Sequence, residues 1–178
     1  MALGLCGAGI FSMADRFLYF TELLAMPVLD LKGRPVAVTR GTTNATAMNV
    51  LSQRRSLALT LVEGADHNEG IGLLAARKVD AFANDEVLLY GLMAETRSDL
   101  YRVVGDFLSY EPYGLMFRID DPAFADVVER GFRRLASSRE IVWIYDKWFL
   151  KRLPSGLRLG LPMSPQLEET FRILGLPA

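Results

Sequence analysis

Short apolar runs alternate with amphipathic stretches through the middle of the chain. Residues 34–39 hold Pro35-Val36-Ala37-Val38-Thr39, an unalternating run of the kind a strand buried on both faces requires. Ala45, Met48, Val50 and Leu51 then repeat at helical spacing. Residues 57–63 read as a second strand, and Asp66-His67-Asn68 stands before Ile71, Leu73, Leu74 and Ala75 as a capped helix start. A third strand is expected at 79–83, a helix from Asp85 through Leu88, Leu89 and Leu92, and a fourth strand at 101–104. Strands and helices in strict alternation predict parallel βαβ units.

The flanks differ. Phe17-Leu18-Tyr19-Phe20-Thr21 is aromatic and β-prone, and with Leu23-Leu24-Ala25 predicts a buried strand that Pro27 interrupts. Past 106 the pattern gives a strand at 113–119, then Asp120-Asp121-Pro122, a helix start with proline in its first turn. That helix runs through Phe124, Val127, Val128, Phe132 and Leu135. A second follows from about Ser138 through Trp143, Ile144, Trp148 and Phe149. Its aromatic residues, with Phe132, are expected in a core rather than on a stacking platform. Residues 153–165 are broken by glycine and proline, and 165–174 predict a last helix.

Composition narrows the function. With 51% hydrophobic and 23% charged residues, the 178-residue chain has material for a real core. A net charge of −1 and scattered basic residues give no general attraction to nucleic acid or anionic lipid. One cysteine, Cys6, excludes an internal disulfide framework and a cysteine-based zinc site. The uncharged stretch 1–14 lacks a basic n-region and a clean cleavage site, so it reads as an apolar segment that packs rather than a signal peptide.

Four residues are candidates for binding chemistry. Gly41-Thr42-Thr43 joins a strand to a helix, where glycine permits a tight turn and helix-start N–H groups hold an anion; the same turn also reads as a plain helix cap. The Gly-Lys-Ser/Thr ending of a phosphate-binding loop is absent. Asp85 closes the third strand, where ligands of open parallel sheets collect, and a carboxylate there either holds an ammonium group or caps the next helix. His67 is the only histidine. Without Cys or His partners it makes no metal site, and with Asp66 alone it makes no nucleophilic set. It reads as a helix-start residue or as a donor to a ligand carboxylate. Nothing in the spacing of Glu86 and Glu111 calls for acid–base catalysis, and no cofactor is implied.

The order of these pieces closely resembles the second lobe and return segment of bacterial periplasmic amino-acid-binding proteins, solute-binding family 3, above all their glutamate/aspartate-binding branch. The stretches that carry it are residues 30–38 (DLKGRPVAV), 40–44 (RGTTN), Asp66-His67, 78–85 (KVDAFAND), 113–118 (YGLMFR) and Trp148-Phe149. The resemblance implies an α/β lobe of the type II periplasmic-binding-protein kind, with a parallel-rich sheet flanked by helices, plus a partial first lobe. It assigns residues 1–27 to a crossing segment, 28–106 to the second lobe and 107–178 to the return into the first lobe. By the same resemblance Thr43, with the turn at Thr42, meets a ligand α-carboxylate, Asp85 takes the α-ammonium and His67 helps hold a side-chain carboxylate. The implied partners are a small amino acid and a membrane ABC permease, and the implied location is the periplasm.

Family members carry roughly a hundred further residues before the matching region, which hold the arginine that clamps the α-carboxylate. An N-terminally truncated protein is therefore expected, with weakened ligand affinity. Strands at 17–25 and 113–119 and the aromatic helices are expected to lack partners, which favours a homo-oligomer, including a strand-exchanged dimer. The alternative function is a structural or regulatory dimer that has lost transport; an enzyme is not expected.

Overall fold

Val36, Ala37 and Val38 have no solvent exposure, and neither do Ala81, Phe82 and Ala83. In the computed structural model these two runs lie side by side, and each is buried on both faces because helices cover both. The structure describes residues 3–5, 11–13, 15–20, 31–96, 100–104, 111–113, 115–138 and 140–173. They divide into two compact units, residues 13–110 and residues 1–12 with 111–178.

The first of these units is built on β3 (Asp15–Phe20), β4 (Pro35–Thr39), α1 (Thr43–Arg54), β5 (Thr60–Gly64), α2 (His67–Ala75), β6 (Ala81–Asp85), α3 (Glu86–Thr96) and β7 (Tyr101–Val104). The strands form one sheet in the order β5-β4-β6-β3-β7. β4 runs parallel to β5 and to β6, with Thr39 level with Gly64 and Ala37 level with Phe82. Side chains alternate along the strands. Val36, Val38, Ala81 and Ala83 therefore meet Leu31 and Met48 under α1. Ala37 and Phe82 face the other way, into a cluster with Leu74, Val79, Leu89 and Tyr101 under α2 and α3.

β3 corrects the expectation that a strand at 17–25 lacks partners. It lies antiparallel between β6 and β7, with Asp15 level with Asp85 and Phe17 level with both Ala83 and Val104. The sheet thus takes a strand from the stretch 1–27, and the unbroken run Phe17-Leu18-Tyr19-Phe20 suits a strand with neighbours on both sides. Leu23, Leu24, Ala25 and Pro27 lie outside the described residues, as does Cys6. The start of β3 and the end of β7 fall on the same edge as the carboxyl ends of β4, β5 and β6.

The second unit contains β1 (Leu3–Leu5), β2 (Phe11–Met13, whose last residue falls in the other unit), β8 (Glu111–Tyr113), β9 (Met116–Arg118), α4 (Pro122–Ser138), α5 (Glu140–Tyr145), a π-helical turn (Asp146–Leu150) and α6 (Pro165–Ile173). The single strand expected at 113–119 is two strands. β9 pairs antiparallel with β1, Leu3 level with Arg118, and β8 pairs with β2. Leu3–Leu5 and Phe11–Met13 therefore supply partners that this stretch was expected to lack. α4 starts as its sequence indicates, with the Asp121 Oδ1 accepting the Phe124 N–H at 2.9 Å.

The tryptophans correct a second expectation. Ile141 and Tyr145 stand one turn apart and pack with Leu167 and Phe171, and Phe149 joins them at 4.6 Å from the Tyr145 ring. Trp143 lies on the opposite face of that helix and is 56% exposed, and Trp148 is 47% exposed. Lys147 Nζ sits 5.2 Å from the centroid of each indole, so the two rings flank a cation rather than fill a core. Among the described residues no helix is long and apolar enough to cross a membrane.

Candidate ligand-binding site

At the carboxyl edge of the sheet, β4 passes into α1 through Arg40, Gly41 and Thr42. Gly41 has φ +72°, a left-handed conformation that side-chain-bearing residues adopt only at a cost, which explains glycine at the turn. Thr42 is the N-cap of α1. Its hydroxyl donates to the Thr39 carbonyl at 2.7 Å and accepts the Ala45 N–H at 3.2 Å. Both functions of that hydroxyl are therefore committed to the turn. Thr43, the first residue of α1, is exposed at the same edge.

Of the helices that begin at this edge, α1 and α2 differ electrostatically. α2 neutralises its own start: Asp66 Oδ1 accepts the Glu69 N–H at 2.8 Å, and Glu69 Oε2 accepts the Ala65 N–H at 2.6 Å. α1 has no acidic residue in its first turn. The partial positive charge of a helix N-terminus is thus left uncompensated by acidic side chains of α1 itself, the condition that favours an anionic ligand group.

His67 opens α2 and is half-buried. Its Nδ1 lies 2.8 Å from Asn84 Nδ2 and 3.2 Å from Thr39 Oγ1. Asn84, only 3% exposed, uses its other amide atom as well, Oδ1 accepting the Asp85 N–H at 2.9 Å. That last bond orients the amide: a backbone N–H only donates, so the oxygen of Asn84 faces Asp85 and its NH2 faces His67. Asn84 therefore donates to His67 Nδ1, and the imidazole proton sits on Nε2. The Thr39 hydroxyl is placed to donate to the same nitrogen.

These bonds form a continuous chain, from Thr42 to Thr39, to His67, to Asn84, to the backbone of Asp85. Thr42, His67 and Asp85 thus come together at one edge, and Thr43 follows Thr42 directly. Strand alternation turns Asp85 toward the face of Ala83, under α1, and Asn84 toward the face of Phe82, under α2. A groove of about 590 Å³ adjoins Gly41 and Thr42 and runs between α1 and β5, past Thr46, Asn49, Leu61 and Glu63. Among the described residues no group of three His, Cys, Asp or Glu side chains is arranged to hold a metal ion.

Sequence reading missed Thr39 and Asn84. The signal for Asn84 is present: a carboxamide directly behind the apolar run Ala81-Phe82-Ala83 of a buried strand needs a buried partner. Gly70 was missed too. It lies one turn beyond His67, where a Cβ would strike the Phe82 ring.

No protein-family model matches the chain. Over 163 residues it is 35% identical to an L-glutamate/L-aspartate-binding protein of Pseudomonas aeruginosa, covering 90% of this chain and 54% of that protein. Over 145 residues it is 30% identical to the glutamate/aspartate import solute-binding protein of Escherichia coli, covering 80% of this chain and 48% of the relative. The chain thus spans about half the length of these relatives. Among solved structures, an ABC transporter periplasmic binding protein from Brucella ovis with glutathione bound superposes with a TM-score of 0.70 at 23% identity, over 78% of this chain and 44% of that one. The fold is that of a type II periplasmic binding protein, present in part.

Proposed function

From a chain homologous to glutamate/aspartate-binding proteins over nine-tenths of its length, we propose that it binds an acidic amino acid, glutamate or aspartate, as the solute-binding component of an ABC importer. In this reading residues 28–106 are the substance of the second lobe of a clamshell, with 1–27 crossing into it and 107–178 returning to the first. Thr43 and the start of α1 receive the α-carboxylate, Thr42 holding that turn in shape. Asp85 receives the α-ammonium. His67 donates to the side-chain carboxylate. The protein works in the periplasm, passes its ligand to a membrane permease and performs no catalysis.

The observation that carries this reading is the hydrogen-bonded chain from Thr42 to Asp85, which ties an anion-favouring helix start, an imidazole donor and a carboxylate to one sheet edge. An α-amino acid with an acidic side chain presents the complementary set of two anions and one cation. The test is isothermal titration calorimetry with L-glutamate and L-aspartate on the wild type and on Asp85→Ala. Saturable heat that weakens by about ten- to hundredfold in affinity in the variant is expected, the range for losing a charged hydrogen bond. Equal binding by both proteins, or none at millimolar ligand, removes the reading.

One further partner belongs to the proposal, a second copy of the chain. Leu115, Met116, Ile119, Phe124, Val127 and Trp143 are each about half exposed or more, all within the unit that holds 111–178. Apolar exposure on that scale is ordinarily covered by another protein surface.

A further inference from the structure

His67 is held from behind. Its Nδ1 is occupied by two groups, Asn84 Nδ2 at 2.8 Å and Thr39 Oγ1 at 3.2 Å, and the Asp85 N–H prevents the Asn84 amide from turning over. Reversal would set the Asn84 NH2 against that N–H, two donors face to face, in a position that is 3% exposed. The neutral imidazole is therefore locked as the Nε2–H tautomer, and what it offers a ligand is a donor only.

We propose that Asn84 is a specificity-determining positioning residue. By fixing His67 as an Nε2–H donor, it restricts the site to ligands whose side chain ends in an oxygen acceptor. The tautomer half of this stands on geometry alone; the selectivity half rests on the binding function proposed above. The same amide also holds the backbone of Asp85, so one buried side chain sets the donor for the ligand side chain and steadies the residue assigned to its ammonium group.

Asn84→Asp reverses the polarity with almost no change of shape. A carboxylate still accepts the Asp85 N–H, but toward His67 it only accepts, so in the neutral imidazole the proton moves to Nδ1 and a lone pair on Nε2 faces the ligand. Glutamate has no proton to give that lone pair. Glutamine does, because its carboxamide turns to present NH2. The variant is thus expected to lose glutamate affinity by about tenfold or more while keeping or gaining affinity for glutamine. A merely structural defect lowers both together.

His67 is the only histidine, so 15N-histidine labelling of the full chain gives one pair of ring signals. Long-range 1H–15N NMR at about pH 9, well above the ordinary imidazole range, is expected to show the Nε2–H tautomer in the wild type and the Nδ1–H tautomer in Asn84→Asp. A scalar coupling across the hydrogen bond from Asn84 Nδ2 to His67 Nδ1 in the wild type needs no variant and decides the contact even if the variant fails to fold. Calorimetry with glutamate and glutamine at that same pH completes the test. An Nδ1–H wild type, a missing coupling, or an unchanged tautomer in the variant overturns the proposal. The expected tautomers with a parallel fall for both ligands overturn the selectivity half. A wild type that shows the tautomer and coupling but binds neither ligand leaves the lock established and defeats the proposed function instead.

Discussion

A Cβ placed on Gly70 would sit 2.5 Å from Cε2 of the buried Phe82, so the first turn of α2 rests directly on the ring from β6. His67 lies one turn earlier on that helix, and its depth against Thr39 and Asn84 depends on this close approach. Gly70→Ala is therefore expected to lose stability despite alanine's better helix propensity. Overpacking costs about 1–3 kcal/mol against a propensity gain of roughly 0.5–1 kcal/mol. Gly72, on the same helix, has nothing within 4 Å of the point a Cβ would occupy, and Gly72→Ala should gain roughly 0.5–1 kcal/mol. Urea unfolding of the pair reads the sign directly. If both variants move the same way, α2 does not sit on Phe82 as described.

Thr42 and Thr43 separate shape from binding. The Thr42 hydroxyl closes the turn at both ends, to the Thr39 carbonyl and the Ala45 N–H. Thr42→Val is expected to cost about 1–2 kcal/mol of stability, the ordinary loss of an N-cap. Thr43→Val should cost less stability and more glutamate affinity, since Thr43 is the exposed member of the pair. Thermal melts set beside calorimetry for the two variants check this. The reverse ordering would reassign the ligand contact to Thr42.

Much of the sheet was legible because its strands speak through burial. Val36-Ala37-Val38 and Ala81-Phe82-Ala83 are apolar without alternation, and only strands covered on both faces need that. Asp66 before α2 and Asp121-Pro122 before α4 mark helix starts through hydrogen bonds local to the chain. What sequence left unread depends on distant partners. Nothing near Phe17–Phe20 says that β6 and β7 lie on either side, or near Met116–Arg118 that Leu3–Leu5 is its neighbour. Trp143 was misread because hydrophobicity alone does not say which face of a helix turns inward; Ile141 and Tyr145 decide it. At the site, Thr42, Thr43, His67 and Asp85 lie on strand ends and helix starts that local pattern reveals, whereas Thr39 and Asn84 act through His67, a residue 28 and 17 positions away respectively.

Asn44, on the first turn of α1, is 3% exposed, and among the described residues neither atom of its amide finds a hydrogen-bond partner. A buried amide without partners costs about 1–3 kcal/mol in lost hydration. Replacing it by a similarly sized apolar side chain removes that cost and improves helix propensity. Asn44→Leu is expected to raise stability by about 1 kcal/mol, read as a higher urea midpoint at unchanged slope. A lower midpoint would mean that the amide is engaged in solution.

The exposed apolar residues of the unit holding 111–178 make a prediction about assembly. Phe124 and Val127 stand on one side of α4, 49% and 52% exposed, and the Phe124 ring packs edge-on to Phe117 at 5.8 Å. Val127 has water on half its surface, so a charge there costs the isolated fold little, within about 0.5 kcal/mol. Buried between two copies, the same charge is strongly unfavourable. The wild type is expected to show a mass that rises with concentration in light scattering coupled to size exclusion, and Val127→Lys to remain a monomer over the same range with its melting temperature nearly unchanged. Since the substitution lies in the other unit from Thr43, His67 and Asp85, it also asks whether ligand binding needs the second copy. Glutamate heat that survives in the monomeric variant assigns binding to a single chain. Heat that disappears with the association means that the partner completes the site. A wild type that stays monomeric at every concentration tested ends the case for self-association.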